Sequence, residues 1–152
     1  MEIVKELVTN RMLLAAVLAW AVAQGSKVLF EALTGRFTAA RMAGGGGMPS
    51  AHSATVTALA LSAGLTYGFG GAAFALALFL AIFVIYDSRG VRYETGREAK
   101  ALNRLREREL AEGRAPSAEK PLEEHMGHTI PEILVGMGIG IAAAAAIALI
   151  FR

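Results

Sequence analysis

Four long apolar stretches set the terms on which this chain can fold. The hydrocarbon core of a bilayer is about 30 Å thick and takes about 20 helical residues to cross, with about 17 as the lower limit. Met12 to Ser26, ended by Lys27, is a first run; Ser53 to Tyr67 is a second; Phe69 to Tyr86 is a third; Ile133 to Phe151 is a fourth. With 55% hydrophobic residues among 152 and a mean hydropathy of +0.48, the chain is more apolar than a typical soluble domain. The predicted fold is all-α: a single membrane domain over 1–152, with four transmembrane helices near 12–27, 53–67, 69–86 and 133–151, and a long loop over 87–132.

The first two runs carry Gln24, Ser53, Thr55, Thr57 and Ser62, so their neighbours are expected to shield them from lipid. Gly136, Gly138, Gly140 and the row Ala142 to Ala146 predict close helix packing in the last run, although the alanines fit plain helix propensity equally well. Gly136 and Gly140 also match the spacing of transmembrane helix dimers, which makes a homodimer one expectation. Lys5 and Arg11 before an apolar run ending in Ala21-Val22-Ala23 resemble a signal peptide, but cleavage there leaves no soluble domain to export. Met1 to Thr9 instead reads as an amphipathic lead-in, with Ile3, Val4, Leu7 and Val8 on one face.

Four spans put 27–52 and 87–132 on one side of the membrane and both termini on the other. Of the fifteen basic residues, all but Lys5, Arg11 and Arg152 fall on the loop side. The positive-inside rule then predicts cytoplasmic loops and external termini. Within the long loop, Val91 to Ala111 reads as a charged helix with Ala99, Leu102, Leu105 and Leu110 as an apolar stripe, followed by a flexible connector from Gly113 to Pro121.

The absence of cysteine excludes disulfides and thiolate chemistry. A formal charge of +2, without aromatics interleaved among the basic residues, gives no nucleic-acid surface. Chemistry must come from histidine, carboxylate or hydroxyl groups, and three clusters offer it. Gly44-Gly45-Gly46-Gly47-Met48-Pro49-Ser50-Ala51-His52 leads into an apolar helix, and glycine-loop amides at a helix N-terminus suit a phosphate; a loop capped by Ser50 fits the same residues. Tyr86-Asp87-Ser88-Arg89-Gly90-Val91-Arg92 places guanidinium groups at the end of the third run, suited to phosphate oxygens or to interfacial anchoring. In Gly127-His128-Thr129-Ile130-Pro131-Glu132, Glu132 can hold one imidazole nitrogen of His128 and leave the other free. The same four residues Thr129 to Glu132 also form a capping-box pattern, and one carboxylate is not expected to serve both roles fully. All three clusters fall on one predicted side of the membrane.

Pro49-Ser50-Ala51-His52 resembles the Pro-Ser-Gly-His signature of the type-2 phosphatidic acid phosphatases and vanadium haloperoxidases. GMPSAHSATV, AWAVAQGSK, YDSRGVR, the run ending in Leu102-Asn103, and GHTIPEILVG together resemble that superfamily's divergent branch of small bacterial and plastid membrane proteins. The resemblance implies that His128 is a nucleophile forming a phosphohistidine, Glu132 its orienting partner and His52 the general acid. It implies that Lys27, Arg89 and Arg92 bind the phosphate, helped by Ser50 and amides such as that of Gly47. The sequence departs from the superfamily in lacking the Lys-x6-Arg-Pro element after Lys27, in carrying Glu132 where an Asp is usual, and in separating Ser88-Arg89 from His128 by the long loop.

The expected function is therefore hydrolysis of a membrane lipid phosphomonoester: phosphatidylglycerophosphate, phosphatidate or a polyprenyl phosphate. The expected setting is a bacterial inner membrane, with the site facing the cytoplasm. No cofactor is expected, while Asp87 leaves a Mg²⁺ role chemically open. A non-catalytic membrane protein that binds anionic headgroups or a partner is the alternative. A transporter is disfavoured because no charged residue falls inside the four apolar cores.

Overall fold

The computed structural model describes residues 1–35 and 46–151; Arg36, Arg41, Gly44, Gly45 and Arg152 of the sequence reading lie outside them. The described residues form six helices and no strand. These are α1 (Glu2–Thr9), α2 (Arg11–Leu33), α3 (Ala51–Tyr67), α4 (Ala72–Arg89), α5 (Val91–Ala111) and α6 (Ile130–Ile150). Local chemistry sets their ends. The Asn10 side chain accepts from the Leu13 amide at 3.1 Å to start α2, and Ser50 caps α3 through the Ser53 amide at 3.2 Å. Thr129 and Glu132 form the expected capping box on α6. These contacts satisfy amides that the first helical turn leaves open.

Helix α3 is the centre of the bundle, packed against α2, α4 and α6, with α2 also touching α6. The core is built of small side chains: Ala15, Ala19 and Ala23 from α2 meet Ala54 and Ala58 from α3 and Ala143, Ala144 and Ile147 from α6. A second cluster joins Val56, Ala60 and Ala63 of α3 to Ala77 and Ala81 of α4. The large apolar side chains point outward instead, among them Trp20, Leu29, Phe30, Phe79, Phe83, Leu134 and Leu149. In water that arrangement would leave an unfavourable apolar surface. In lipid, where tails solvate Leu and Phe and close backbone approach drives association, it is the stable one. The protein is an integral membrane helical bundle.

Several boundaries differ from the sequence reading. Three helices among the described residues are long and apolar enough to cross a membrane: α2, the α4–α5 stretch Ala72–Ala111, and α6. The 17 residues of α3 span about 25 Å at 1.5 Å per residue, the lower limit for a crossing, and its neighbours cover it. Helix α2 does not stop at Lys27 but runs to Leu33. Beyond Arg11 at its start, the first apolar helix therefore contains two buried charged residues, Lys27 and Glu31, where the sequence reading ends the run at Lys27. Helix α4 begins at Ala72 and continues to Arg89, with only Gly90 separating it from α5.

The Gly136 and Gly140 pair is used inside the chain. A Cβ at Gly136 would land on the Ser50 carbonyl oxygen. At Gly140 it would strike the Ala54 carbonyl oxygen and come within 2.9 Å of Thr57 Cβ and 3.0 Å of the Ala58 amide. The spacing that suggested a dimer thus seats α6 against α3. Helix α5 matches its predicted span, yet Leu102, Leu105 and Leu110 of the expected stripe are exposed. Its buried positions are Gly96, Ala99 and Asn103. They receive the connector, which stays non-helical past Pro121 as far as Thr129, because the Asn103 amide donates to the Leu122 carbonyl at 2.9 Å and to Glu124 at 2.8 Å, while its oxygen accepts from the Leu122 amide at 2.8 Å.

Candidate active site

The three polar clusters meet at one end of the bundle. The loop before α3 is joined to the start of α6 where the Ser50 amide donates to the Glu132 carbonyl at 3.1 Å. The end of α4 is joined to the same place where the His128 amide donates to the Ser88 carbonyl at 2.9 Å. Glycines allow both approaches. Gly127 has φ +76, and a Cβ there would overlap the Tyr93 backbone and sit 2.8 Å from the Ser88 carbonyl oxygen. A Cβ at Gly46 would come within 2.9 Å of the His125 carbonyl oxygen and 3.2 Å of that of Gly127. Neither position has room for a side chain, so the two loops seat backbone against backbone.

His128 is 2% exposed. Its Nδ1 lies 3.2 Å from Glu132 Oε2, and that oxygen also accepts from the Thr129 amide at 3.0 Å. One carboxylate oxygen thus serves both the histidine and the helix cap, which the sequence reading treats as competing roles. A carboxylate partner places the proton on Nδ1 and leaves the Nε2 lone pair free. Nε2 is buried and has no hydrogen-bond partner among the described residues. Buried polar atoms are nearly always satisfied, so this orphan calls for a ligand or a chemical role.

The His52 ring lies 5.8 Å from the His128 ring, centroid to centroid. It faces a pocket of about 350 Å³ lined with Phe83, Val84, Asp87, Ser88 and Arg92. His52 precedes the apolar run of α3. Partial enclosure by the protein lowers its pKa from the usual 6.5, and the charges of His128, Arg92 and Lys27 act the same way against an opposing Asp87. Arg92 Nε pairs with Asp87 Oδ2 at 2.6 Å. Asp87 is thereby engaged with a guanidinium, and among the described residues no three histidine or acidic side chains gather as a metal cluster.

Lys27 reaches the glycine loop from α2, its ammonium donating to the Gly46 carbonyl. Gly47, at φ +100, makes room for it: a Cβ there would lie 2.8 Å from Lys27 Cε and 3.5 Å from Glu31 Oε1. Ser50 is fully buried, and its hydroxyl oxygen accepts from both the amide and the hydroxyl of Ser53. Arg89 is placed differently. It stacks at 4.6 Å over the Tyr93 ring and lines another cavity, away from His52. Glu31 was not foreseen; it is buried with Oε2 unpartnered among the described residues. Its sequence signal is the four-residue spacing from Lys27, which puts both on one helix face.

The sequence profile of the divergent PAP2 family matches residues 8–143. The chain is 31% identical over 156 residues to "Uncharacterized membrane protein YuiD" of Bacillus subtilis (strain 168), an alignment covering 96% of this chain and 99% of that relative. No solved structure matches the chain.

Proposed function

Because the chain belongs to the divergent PAP2 family, we propose that it is a membrane lipid-phosphate phosphatase that works through a phosphohistidine at His128. The observation that carries this reading is the buried His128, with Nδ1 held by Glu132 and Nε2 free beside His52.

In the first step the Nε2 lone pair bonds to phosphorus and the bond from phosphorus to the ester oxygen breaks. Protonated His52 gives its proton to that oxygen, so the lipid leaves as an alcohol. In the second step neutral His52 takes a proton from water, whose oxygen attacks phosphorus as the N–P bond breaks. Inorganic phosphate leaves, and both histidines return to their starting states. The Glu132 carboxylate balances the positive charge on the phosphorylated ring. Lys27 and Arg92 supply positive charge to the phosphoryl oxygens after exchanging the Gly46 carbonyl and Asp87 for substrate, with the Gly47 amide and Ser50 at the loop. The substrate is phosphatidylglycerophosphate, phosphatidate or a polyprenyl phosphate, reached from the cytoplasmic leaflet of a bacterial inner membrane, with both termini outside.

The test is phosphate release from those lipids by purified protein in detergent, with and without EDTA. His128→Ala should fall to background, and His52→Ala should lose about 10²–10⁴-fold in kcat. Since the acid form of His52 is needed and its pKa is lowered from 6.5, kcat/KM should decline with rising pH along a limb centred below pH 6.5. That limb should vanish in His52→Ala. Equal turnover by His128→Ala and the parent overturns the mechanism; headgroup binding without turnover on any of the lipids favours the non-catalytic alternative.

A further inference from the structure

The last turns of α4 carry two cavities on opposite faces. At 100° per residue, Phe83, Val84, Asp87 and Ser88 turn toward the histidines, while Ile82, Ile85, Tyr86 and Arg89 turn the other way. The second cavity, about 640 Å³, lies between these residues and Ile133 and Met137 of α6. That volume falls within the range of roughly 300–1,000 Å³ typical of small-molecule sites. Its wall is almost wholly apolar and runs on into exposed Ile82, Tyr86 and Ile130 on the outer surface of the bundle.

The mouth carries a net positive charge. The Arg89 guanidinium, stacked on Tyr93, meets no carboxylate among the described residues. Glu94 shares the rim, but both its oxygens are held by Arg97 at 3.1 Å, so it does not cancel Arg89. Stacking fixes the guanidinium plane and leaves its N–H edge available for two oxygens of one phosphate. An apolar trough ending at a membrane-edge arginine is complementary to an anionic amphiphile.

We propose that this cavity is a second lipid site, which takes an acyl chain of an anionic glycerophospholipid and holds its phosphate on Arg89. The site is separate from the histidine pocket and does not depend on turnover there.

The test uses the purified full chain in phosphatidylcholine vesicles containing trace spin-labelled phosphatidylglycerol or spin-labelled phosphatidylcholine, with the motionally restricted fraction read by electron spin resonance. The parent should retain phosphatidylglycerol in preference. Arg89→Gln should cut that preference about fivefold, the effect of one basic residue near a lipid surface. Met137→Trp, which fills the trough, should lower the restricted fraction of both labels. His128→Ala should leave the preference in place. An unchanged preference in Arg89→Gln overturns the proposal, as does a preference lost in His128→Ala, which would place the bound lipid at the histidines.

Discussion

The α3–α6 seam beneath the histidines and the dock above them, where the connector lies on α5, solve one problem by different chemistry. Both bring backbone segments close enough to fix His128 relative to His52, and both do it with glycines. The seam removes side chains at Gly136 and Gly140, one turn apart, so that α6 rests on the carbonyl oxygens of Ser50 and Ala54. It lies among the alanines of the main core, where the lipid supplies no water to repair a misfit. The dock has Gly96 and Gly127 for close approach, but its specific ties are the Asn103 hydrogen bonds to Leu122 and Glu124. Water can compete for those. The contrast assigns stability to the seam and register to the dock.

The largest effect should come from wedging the seam. Gly140→Leu drives a side chain into the Ala54 carbonyl and Thr57, and overpacking of a rigid interface costs about 3 kcal/mol or more. Folded protein should be lost in thermal unfolding and gel filtration in detergent. Gly138, two residues away, has nothing within 4 Å of its Cβ position, so Gly138→Ala should be neutral or stabilising by up to about 1 kcal/mol. Similar losses in the two variants would mean that α6 is equally sensitive to added side chains at both positions, and the seam would lose its special status.

The next effect belongs to the dock. Gly127→Ala puts a methyl group into the Tyr93 backbone at a residue with φ +76. Relief requires the loop to lift and His128 to move with it. A displacement of about 1 Å in a reacting group costs about 10²-fold, so phosphate release should fall by that order while the unfolding midpoint drops far less than in Gly140→Leu. A variant that loses stability and turnover in step would merge the two regions into one.

Much of this organisation was legible in the sequence, and the failures have physical causes. The caps at Ser50 and Thr129, the span of α5 and the pairing of His128 with Glu132 all rest on interactions within four residues, which spacing encodes directly. A hydropathy run breaks at any charge, so in the sequence the first run ends at Lys27. The helix continues because Lys27 and Glu31 share one inward face while Val28, Leu29, Phe30 and Leu33 keep the rest apolar. Arg89 and Arg92 form one cluster in the sequence because both follow the end of the third apolar run on the loop side of the membrane. Gly90, with φ −88 and ψ −90, ends α4 between them, so periodicity does not carry across, and only Arg92 reaches the His52 pocket. The expected stripe of α5 ranks positions by hydrophobicity, so it includes Ala99, which is buried, beside Leu102, Leu105 and Leu110, which are exposed; docking a polypeptide backbone needs a small residue and a two-way hydrogen-bonding amide, which Gly96 and Asn103 provide.

The smallest effect, and the sharpest on the division of labour, comes from Asn103→Ala. It removes three hydrogen bonds to the connector, but the connector lies outside the apolar bundle, where water replaces part of what is lost. The net cost should be about 1 kcal/mol, expressed locally: amide exchange at Leu122 should quicken about fivefold, with a small shift in the unfolding midpoint. Asn103→Asp keeps the acceptor for the Leu122 amide while losing both donors and setting a second carboxylate beside Glu124, so it should loosen the connector more than alanine does. The reverse order would mean that the Leu122 amide bond alone anchors the dock. A midpoint shift as large as that of Gly140→Leu would show the dock to be part of the stabilising core, because a segment held only by water-competed hydrogen bonds cannot cost the bundle that much when released.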